Sequence, residues 1–170
     1  MSFKRPSVSK KELQERLEQS NVLIPRITAA IECAQRAHKN QKRDNGNPYL
    51  EEHIYPIAFA VVDRYKNDPD LENILILGIL HDVLEDDPNA SPTDIEQRFG
   101  QEMLAHLLLL TKKPEENIGA LSEAEKMSIN ARILQKLENA PRSVQIVKLE
   151  DRLNNFSCIE KVDTEKSFLW

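Results

Sequence analysis

Residues 71–88 read LENILILGILHDVLEDDP, and the rest of the predicted fold is arranged around this stretch. Positions 71–80 are almost wholly apolar and span the length of a helix. Four ionisable residues follow, namely His81, Asp82, Glu85 and Asp86. Burial of the apolar run draws these side chains inward, where a carboxylate costs roughly several kcal/mol unless a cation or hydrogen-bond donors meet it. The stretch therefore predicts a central helix that leads into a metal site.

The composition favours helices. The chain has 170 residues, of which 40% are hydrophobic, and this suffices for one domain with its own core. Only four glycines are present and aromatic residues make up 5%, whereas a sheet protein with many turns needs more glycine. We therefore expect an all-α fold, a single helical bundle with its site between helices. Residues 1–22 are expected to form an N-terminal tail and a short helix, and residues 23–170 the domain itself.

Charge and cysteine content exclude several classes of protein. The net charge is −5, which argues against a surface that binds nucleic acids generally, because such surfaces are usually basic. Cys33 and Cys158 lie far apart and form no CxxC pair, so neither a disulfide framework nor a zinc knuckle is expected. No window approaches the ~18 apolar residues of a membrane span, and the first residues lack the apolar core of a signal peptide. We expect a cytoplasmic protein that binds neither nucleic acid nor membrane; the sequence does not specify its oligomeric state.

Two further helices turn an ionisable residue toward the core. In the segment 51–65, His53 shares an apolar stripe with Ile57 and Val61. In the helix that begins at Pro141, Asp151 lies one turn beyond Val147 on the inward stripe, where it needs a partner. Together with the central segment, these helices bring two imidazoles and two carboxylates to one interior.

This set of side chains suits a divalent ion such as manganese, iron or zinc and leaves positions for water and substrate. The helix is expected to continue through residue 86, so that Glu85 lies one turn beyond His81 and Asp86 one turn beyond Asp82, on the same faces. A bound divalent ion lowers the pKa of its water, and a nearby carboxylate can orient that water or accept its proton. Such a site hydrolyses phosphate esters or anhydrides.

Other segments have less specific interpretations. Basic residues surround the turn signals Asn45-Gly46 and Pro48, and alone they are typical of a solvated helix end. His38 is expected to be a packed histidine or one that supports the site from outside. A helix from Ser122 to about Asn139 is expected, with Met127 and Ala131 among the residues of its core face.

A family resemblance joins these features. HDVLED at 81–86 resembles the HDxxED signature of RelA/SpoT-type guanosine polyphosphate 3′-pyrophosphohydrolases, a branch of the HD-domain phosphohydrolases. AHKNQKRDNGNPYLEEH at 37–53 is similar to that family's AHxxQxR-x-x-G-x-PYxxH opening, and VKLEDRLNNF at 147–156 to its KLADRLHN block. Two shorter blocks also match, DIEQRFG at 94–100 and LTKKP at 110–114. The blocks occur in the family's order, over roughly residues 27–156.

The resemblance implies that residues 23–170 form an HD-type metal-dependent hydrolase domain. The residues that match the family's metal ligands, usually of manganese, are His53, His81, Asp82 and Asp151. Glu85 and Asp86 match the pair that positions and activates the attacking water. Arg43 matches the arginine that contacts the guanine nucleotide, and Asn155 matches the asparagine that holds its sugar-phosphate part. The implied reaction removes the 3′-pyrophosphate of ppGpp or pppGpp and gives GDP or GTP.

The chain departs from the family pattern at three positions. Asp44 stands where the family commonly has a basic residue. PYLEEH places His53 one residue further from the tyrosine than PYxxH does, so we expect His53 at a helix start, where the backbone can adjust. Asn154 stands where the family has histidine. The sequence ends at Trp170, where relatives usually continue with another helix or two, so we expect a short member or a truncated chain.

Two alternatives remain open from the sequence. The same fold can act as a phosphatase or pyrophosphohydrolase of another nucleotide or of a dinucleotide cofactor, and Asp44 keeps this open. A non-catalytic regulatory module that binds a nucleotide through the same cleft is the second alternative. The intact HDxxED motif argues against it, because a binding module has no chemical need for Glu85 and Asp86.

Overall fold

The computed structural model of the chain describes residues 6–111 and 122–158. Across these ranges it contains nine α-helices, one π-helical turn and no strand, so the all-α expectation is confirmed. The helices are α1 Lys10–Gln19, α2 Pro25–Ala37, α3 Tyr55–Tyr65, α4 Leu71–Leu80, α5 Val83–Asp86, α6 Pro92–Phe99, α7 Gln101–Leu110, α8 Glu123–Glu138 and α9 Arg142–Cys158. The first residues of the expected region 1–22 and the last residues of the expected region 23–170 lie outside the described ranges. So do the last three residues of the LTKKP block.

Helix α4 is the centre of the bundle. Eight of its ten residues are buried, and it packs against α2, α3, α7 and α9. A helix that is apolar on all sides can be stable only where neighbours cover every face, and this is the environment that the LENILILGIL run predicts. Within the described parts of the chain, no helix combines the length and the hydropathy that a bilayer crossing requires.

The central segment is not one continuous helix. Helix α4 ends at Leu80, His81 and Asp82 form a turn, and the short α5 follows. The amides of both Glu85 and Asp86 donate to the carbonyl of Asp82, at 3.1 and 3.0 Å. The expectation of a helix that runs unbroken through residue 86 is therefore wrong. The break matters because neighbouring side chains on a regular helix diverge by about 100°, whereas the turn lets His81 and Asp82 approach each other.

A π-helical turn, Leu50–Ile54, precedes α3 and carries His53. The amide of Tyr55 donates to the carbonyl of Leu50, five residues earlier. Since a π turn holds more residues than an α turn, it accommodates the additional residue of PYLEEH and keeps His53 facing inward. The expected adjustment at the start of the helix is confirmed, and it takes the form of this turn.

Helix α1 begins at the capping box of Ser9 and Glu12, and it buries Leu13 and Leu17 against α3. Its hydrophobic face thus belongs to the same core as α4.

Helix α8 differs from its expected orientation. Met127, assigned to the core face, is 73% exposed and Ala131 is also exposed, whereas Ile129 is buried. Helical spacing alone does not say which side of a helix meets a neighbour, and α8 packs on α9 along a different edge. The assignment of the core face is therefore wrong for Met127 and Ala131, whereas Leu137, which the sequence places on the same face, is half-buried and packs against the core.

Candidate metal centre and active site

Three nitrogen and oxygen atoms converge between the π turn and the end of α4. Nε2 of His53 lies 3.2 Å from Nε2 of His81. Oδ2 of Asp82 lies 2.9 Å from Nε2 of His81 and 3.4 Å from Nε2 of His53. Among the described residues, these three side chains form a group whose ligand atoms all lie within 4.8 Å of one another. The two histidines are buried, and Asp82 is partly exposed.

Asp151 of α9 completes the cluster. Its Oδ1 lies 3.5 Å from Nε2 of His53, so the structure brings together all four residues that the sequence predicts as metal ligands. The same oxygen accepts a hydrogen bond from Nδ2 of Asn155 at 2.6 Å, and Oδ2 accepts one from Nζ of Lys148 at 2.8 Å. Asp151 is therefore held by two polar side chains of its own helix.

Hydrogen bonds from outside the cluster set the histidine tautomers. Nδ1 of His81 lies 2.9 Å from the carbonyl oxygen of Gly78, which can only accept, so Nδ1 carries the proton. Nδ1 of His53 lies 2.6 Å from Oδ1 of Asn154 and is protonated for the same reason. In the neutral rings, both Nε2 atoms then present a lone pair to the interior. Two facing lone pairs beside a carboxylate fit a bound cation.

The electrostatics of the cluster agree with this fit. Burial would raise the pKa of Asp82, yet the imidazoles of His81 and His53 hold it well below its usual range. Burial lowers the pKa of His81, but the Asp82 carboxylate more than offsets this and the pKa rises to about 9. The pKa of Asp151 is lowered despite burial, mainly by Lys148 and then by the two histidines. The carboxyl groups of Asp82 and Asp151 therefore stay ionised, and their negative charge favours a bound metal ion.

Tyr49 forms a wall of the cluster. Its ring lies between those of His38 and His53, with centroid distances of 5.1 and 4.9 Å. Its hydroxyl donates to Oδ2 of Asp82 at 2.5 Å. Burial first and the Asp82 carboxylate second raise the pKa of Tyr49, so its hydroxyl remains a donor. Tyr49 thus orients the carboxylate that faces both histidines.

Asp86 is connected to α2 through Gln41. Nε2 of Gln41 donates to Oδ2 of Asp86 at 3.0 Å, and Oε1 of Gln41 lies 2.6 Å from Nδ1 of His38. Burial lowers the pKa of His38, so its ring is neutral and donates through Nδ1. His38 therefore supports the site from outside, as expected. Glu85 lies one residue earlier on α5 and is exposed.

Arg43 approaches the cluster from the loop after α2. A tight turn closed by Gly46, whose φ of +84° favours glycine, is flanked by a bridge between Lys42 and Pro48. This geometry places the guanidinium over the ring of Tyr49, 5.6 Å from its centroid, and Arg43 donates to Oδ1 of Asn155 at 2.8 Å. The two predicted substrate-binding residues are thus in direct contact.

Tyr49 and Gln41 belong to the site, although neither was predicted from the sequence to have a role in it. Tyr49 sits in the PY motif and Gln41 in the AHxxQ motif, so the motifs themselves mark both positions. Neither residue lies on an apolar helical stripe, since both belong to the irregular segment between α2 and the π turn. Their roles depend on how that segment folds back over the end of α4.

The comparisons with known proteins agree with this geometry. The family model of the HD domain matches residues 30–168, and the chain therefore belongs to the HD domain family. The family implies a divalent metal, and the His/Asp cluster provides a site for one.

The chain is 30% identical over 152 residues to a probable guanosine-3′,5′-bis(diphosphate) 3′-pyrophosphohydrolase of Mycoplasma pneumoniae. The matched region covers 85% of this chain and 19% of that protein. It is 28% identical over 144 residues to the bifunctional (p)ppGpp synthase/hydrolase SpoT of Escherichia coli, covering 84% of this chain and 19% of that protein. It is 32% identical over 143 residues to a GTP pyrophosphokinase of Myxococcus xanthus, covering 82% of this chain and 18% of that protein. The chain thus spans less than a fifth of the length of these curated relatives.

Proposed function

We propose that this protein is a metal-dependent phosphohydrolase that removes the 3′-pyrophosphate of ppGpp or pppGpp, yielding GDP or GTP and pyrophosphate. The observation that carries the proposal is the convergence of His53, His81 and Asp82, whose ligand atoms lie within 4.8 Å of one another. The similarity to 3′-pyrophosphohydrolases over most of the chain supports the choice of substrate.

The residues that would hold the metal are His53, His81, Asp82 and Asp151. Two imidazoles and two carboxylates suit a divalent ion such as manganese, iron or zinc, and manganese is the proposed ion because it is the usual metal of the family that the sequence resembles. When bound, such an ion supplies Lewis acidity toward a phosphate oxygen and a water of lowered pKa. The protein fixes the donor atoms in advance: Gly78 and Asn154 direct the two Nε2 atoms inward, and Tyr49 holds Asp82.

Asp86 and Glu85 are the proposed water-handling residues. The amide of Gln41 holds one oxygen of Asp86, which leaves the other oxygen to accept a proton from the attacking water. Glu85, on the exposed side of α5, is proposed to orient that water. Both carboxylates come shortly after Asp82 in the sequence, beyond the turn. They are not among the four proposed metal ligands.

Arg43 and Asn155 are the proposed contacts for the nucleotide. A guanidinium can bind two phosphate oxygens at once, and the position of Arg43 over Tyr49 places its guanidinium along one wall of the cluster. Asn155 contacts both Arg43 and Asp151, and its amide is proposed to hold the sugar-phosphate part of the substrate. The adjacent Asp44 is exposed and adds negative charge beside this contact.

The proposal is tested with metal-stripped protein reloaded with manganese and incubated with ppGpp. We expect GDP and pyrophosphate in equal amounts, and at least a hundredfold loss of rate in Asp82→Asn. Asp87→Asn is the matched control and is expected to keep full activity; Oδ1 of Asp87 accepts hydrogen bonds from the backbone amide and the side chain of Asn89. Release of phosphate from other nucleotides or from dinucleotide cofactors, without release of pyrophosphate from ppGpp, would favour the alternative substrates. Binding of ppGpp with no product would favour the non-catalytic module.

A further inference from the structure

Asn154 of α9 bonds to two consecutive residues of the π turn. The side chain is 1% exposed and uses both ends of its amide. Oδ1 accepts from Nδ1 of His53 at 2.6 Å, and Nδ2 donates to the carbonyl oxygen of Glu52 at 3.3 Å. A single buried side chain thus binds the ring of a proposed metal ligand and the backbone immediately before it.

The π turn is also held at a second position. The carbonyl of Glu51 accepts from the backbone amide of Val8 at 2.9 Å, and Val8 is buried. A π turn is rarer and less favourable than an α turn, and bonds from outside the turn offset that disadvantage. Here the N-terminal segment binds one carbonyl and Asn154 the next.

We propose that Asn154 is a positioning residue for metal binding, matched to this π turn. The proposal rests on the proposed function, because it assumes that His53 binds the metal. Asn154 acts through His53: it keeps the proton on Nδ1, so that Nε2 is free to bind, and its second bond fixes the backbone that carries the ring. Hydrogen bonds of this kind orient ligating histidines.

An amide is the side chain that meets both requirements. It offers an acceptor toward His53 and a donor toward the carbonyl of Glu52, whereas an ionised aspartate only accepts and leucine does neither. The two elements joined by these bonds both depart from the family pattern. The segment before His53 has one additional residue, and position 154 has asparagine in place of histidine. These two departures meet in one pair of hydrogen bonds, so we interpret them as a single coupled change.

The test measures the affinity of metal-stripped protein for manganese by calorimetry, without substrate. We expect the Kd to rise by about 10- to 100-fold in Asn154→Leu. The increase in Asn154→Asp is expected to be smaller, because its carboxylate still accepts from His53. Asn139→Leu, at an exposed asparagine whose side chain donates to the backbone carbonyl of Gln135, is the matched control and is expected to bind as the wild type does. If Asn154→Leu does not fold, Asn154→Ser takes its place with the same expectation.

A double-mutant comparison separates positioning from general support of the fold. In a His53→Ala background, Asn154→Leu is expected to change the Kd less than twofold, since the residue through which Asn154 acts is gone. An equal loss in both backgrounds, or a Kd in Asn154→Leu within twofold of the wild type, would overturn the proposal. A wild-type protein that binds manganese yet leaves ppGpp intact would contradict the proposed substrate and leave this inference standing.

Discussion

The hydroxyl of Tyr49 donates a hydrogen bond to Oδ2 of Asp82 at 2.5 Å, and it links the irregular segment before the π turn to the end of α4. The same oxygen is the atom of Asp82 that lies closest to the two histidines. Tyr49 therefore determines which way this carboxylate points, although it offers no charge of its own.

Tyr49→Phe is expected to weaken manganese binding by about tenfold, because the Asp82 carboxylate loses the donor that orients it. Calorimetric titration of metal-stripped protein measures this change. Tyr55→Phe is the matched control, since its hydroxyl bonds to Gln35 and not to the cluster. Equal affinities of Tyr49→Phe and the wild type would show that the carboxylate needs no such orientation.

Gln41→Leu is expected to lower kcat by about 10- to 100-fold while the affinity for manganese changes little. The reason is that Gln41 holds Asp86, a proposed water-handling group, and does not contact the four proposed ligands in the described structure. Steady-state kinetics with ppGpp at saturating manganese gives kcat and KM separately. Gln35→Leu serves as control. A parallel loss of metal affinity would assign Gln41 to the metal site instead.

Manganese binding is expected to release about one proton at neutral pH. The pKa of His81 is about 9 in the metal-free protein, so its ring is protonated at pH 7, whereas a ligating imidazole must be neutral. The apparent affinity should therefore rise by about tenfold per pH unit up to about pH 9 and level off above it. Calorimetry in two buffers of different ionisation enthalpy counts the released protons. A pH-independent affinity would contradict the assigned state of His81.

Arg64→Met is expected to destabilise the fold by about 2 kcal/mol. Nη1 of Arg64 lies 2.7 and 2.8 Å from the two oxygens of Glu150, which is fully buried. Breaking a buried pair costs about 3–5 kcal/mol, and we expect less because Arg64 is itself 42% exposed. Urea unfolding measures the difference. Lys11→Met, which removes an exposed i,i+4 pair with Glu15, is expected to change stability by less than about 0.5 kcal/mol.

The four proposed metal ligands were predictable from the sequence because each follows an apolar pattern that specifies an inward face. His81 and Asp82 follow a helix that is apolar except at Glu72 and Asn73, and Asp151 continues the stripe of Val144 and Val147. Burial of such stripes is the strongest force in folding, so it draws the polar members of a stripe inward with the apolar ones where partners meet them.

Other features were not predictable because they depend on local geometry. The break at His81 and Asp82 and the π turn before α3 each change the backbone by a fraction of a turn, which periodicity does not detect. Tyr49 acquires its role only when the loop folds onto Asp82. The side of α8 that faces the core depends on how α8 packs on α9, and the spacing of its apolar residues does not specify it, as the exposed Met127 shows.

A manganese titration of ppGpp hydrolysis by metal-stripped protein tests the proposed function most directly. We expect no turnover without metal, a rise in pyrophosphate release that saturates near one equivalent of manganese per chain, and no such rise in His81→Ala. Turnover that is unchanged by a chelator, or equal in His81→Ala and the wild type, would contradict it.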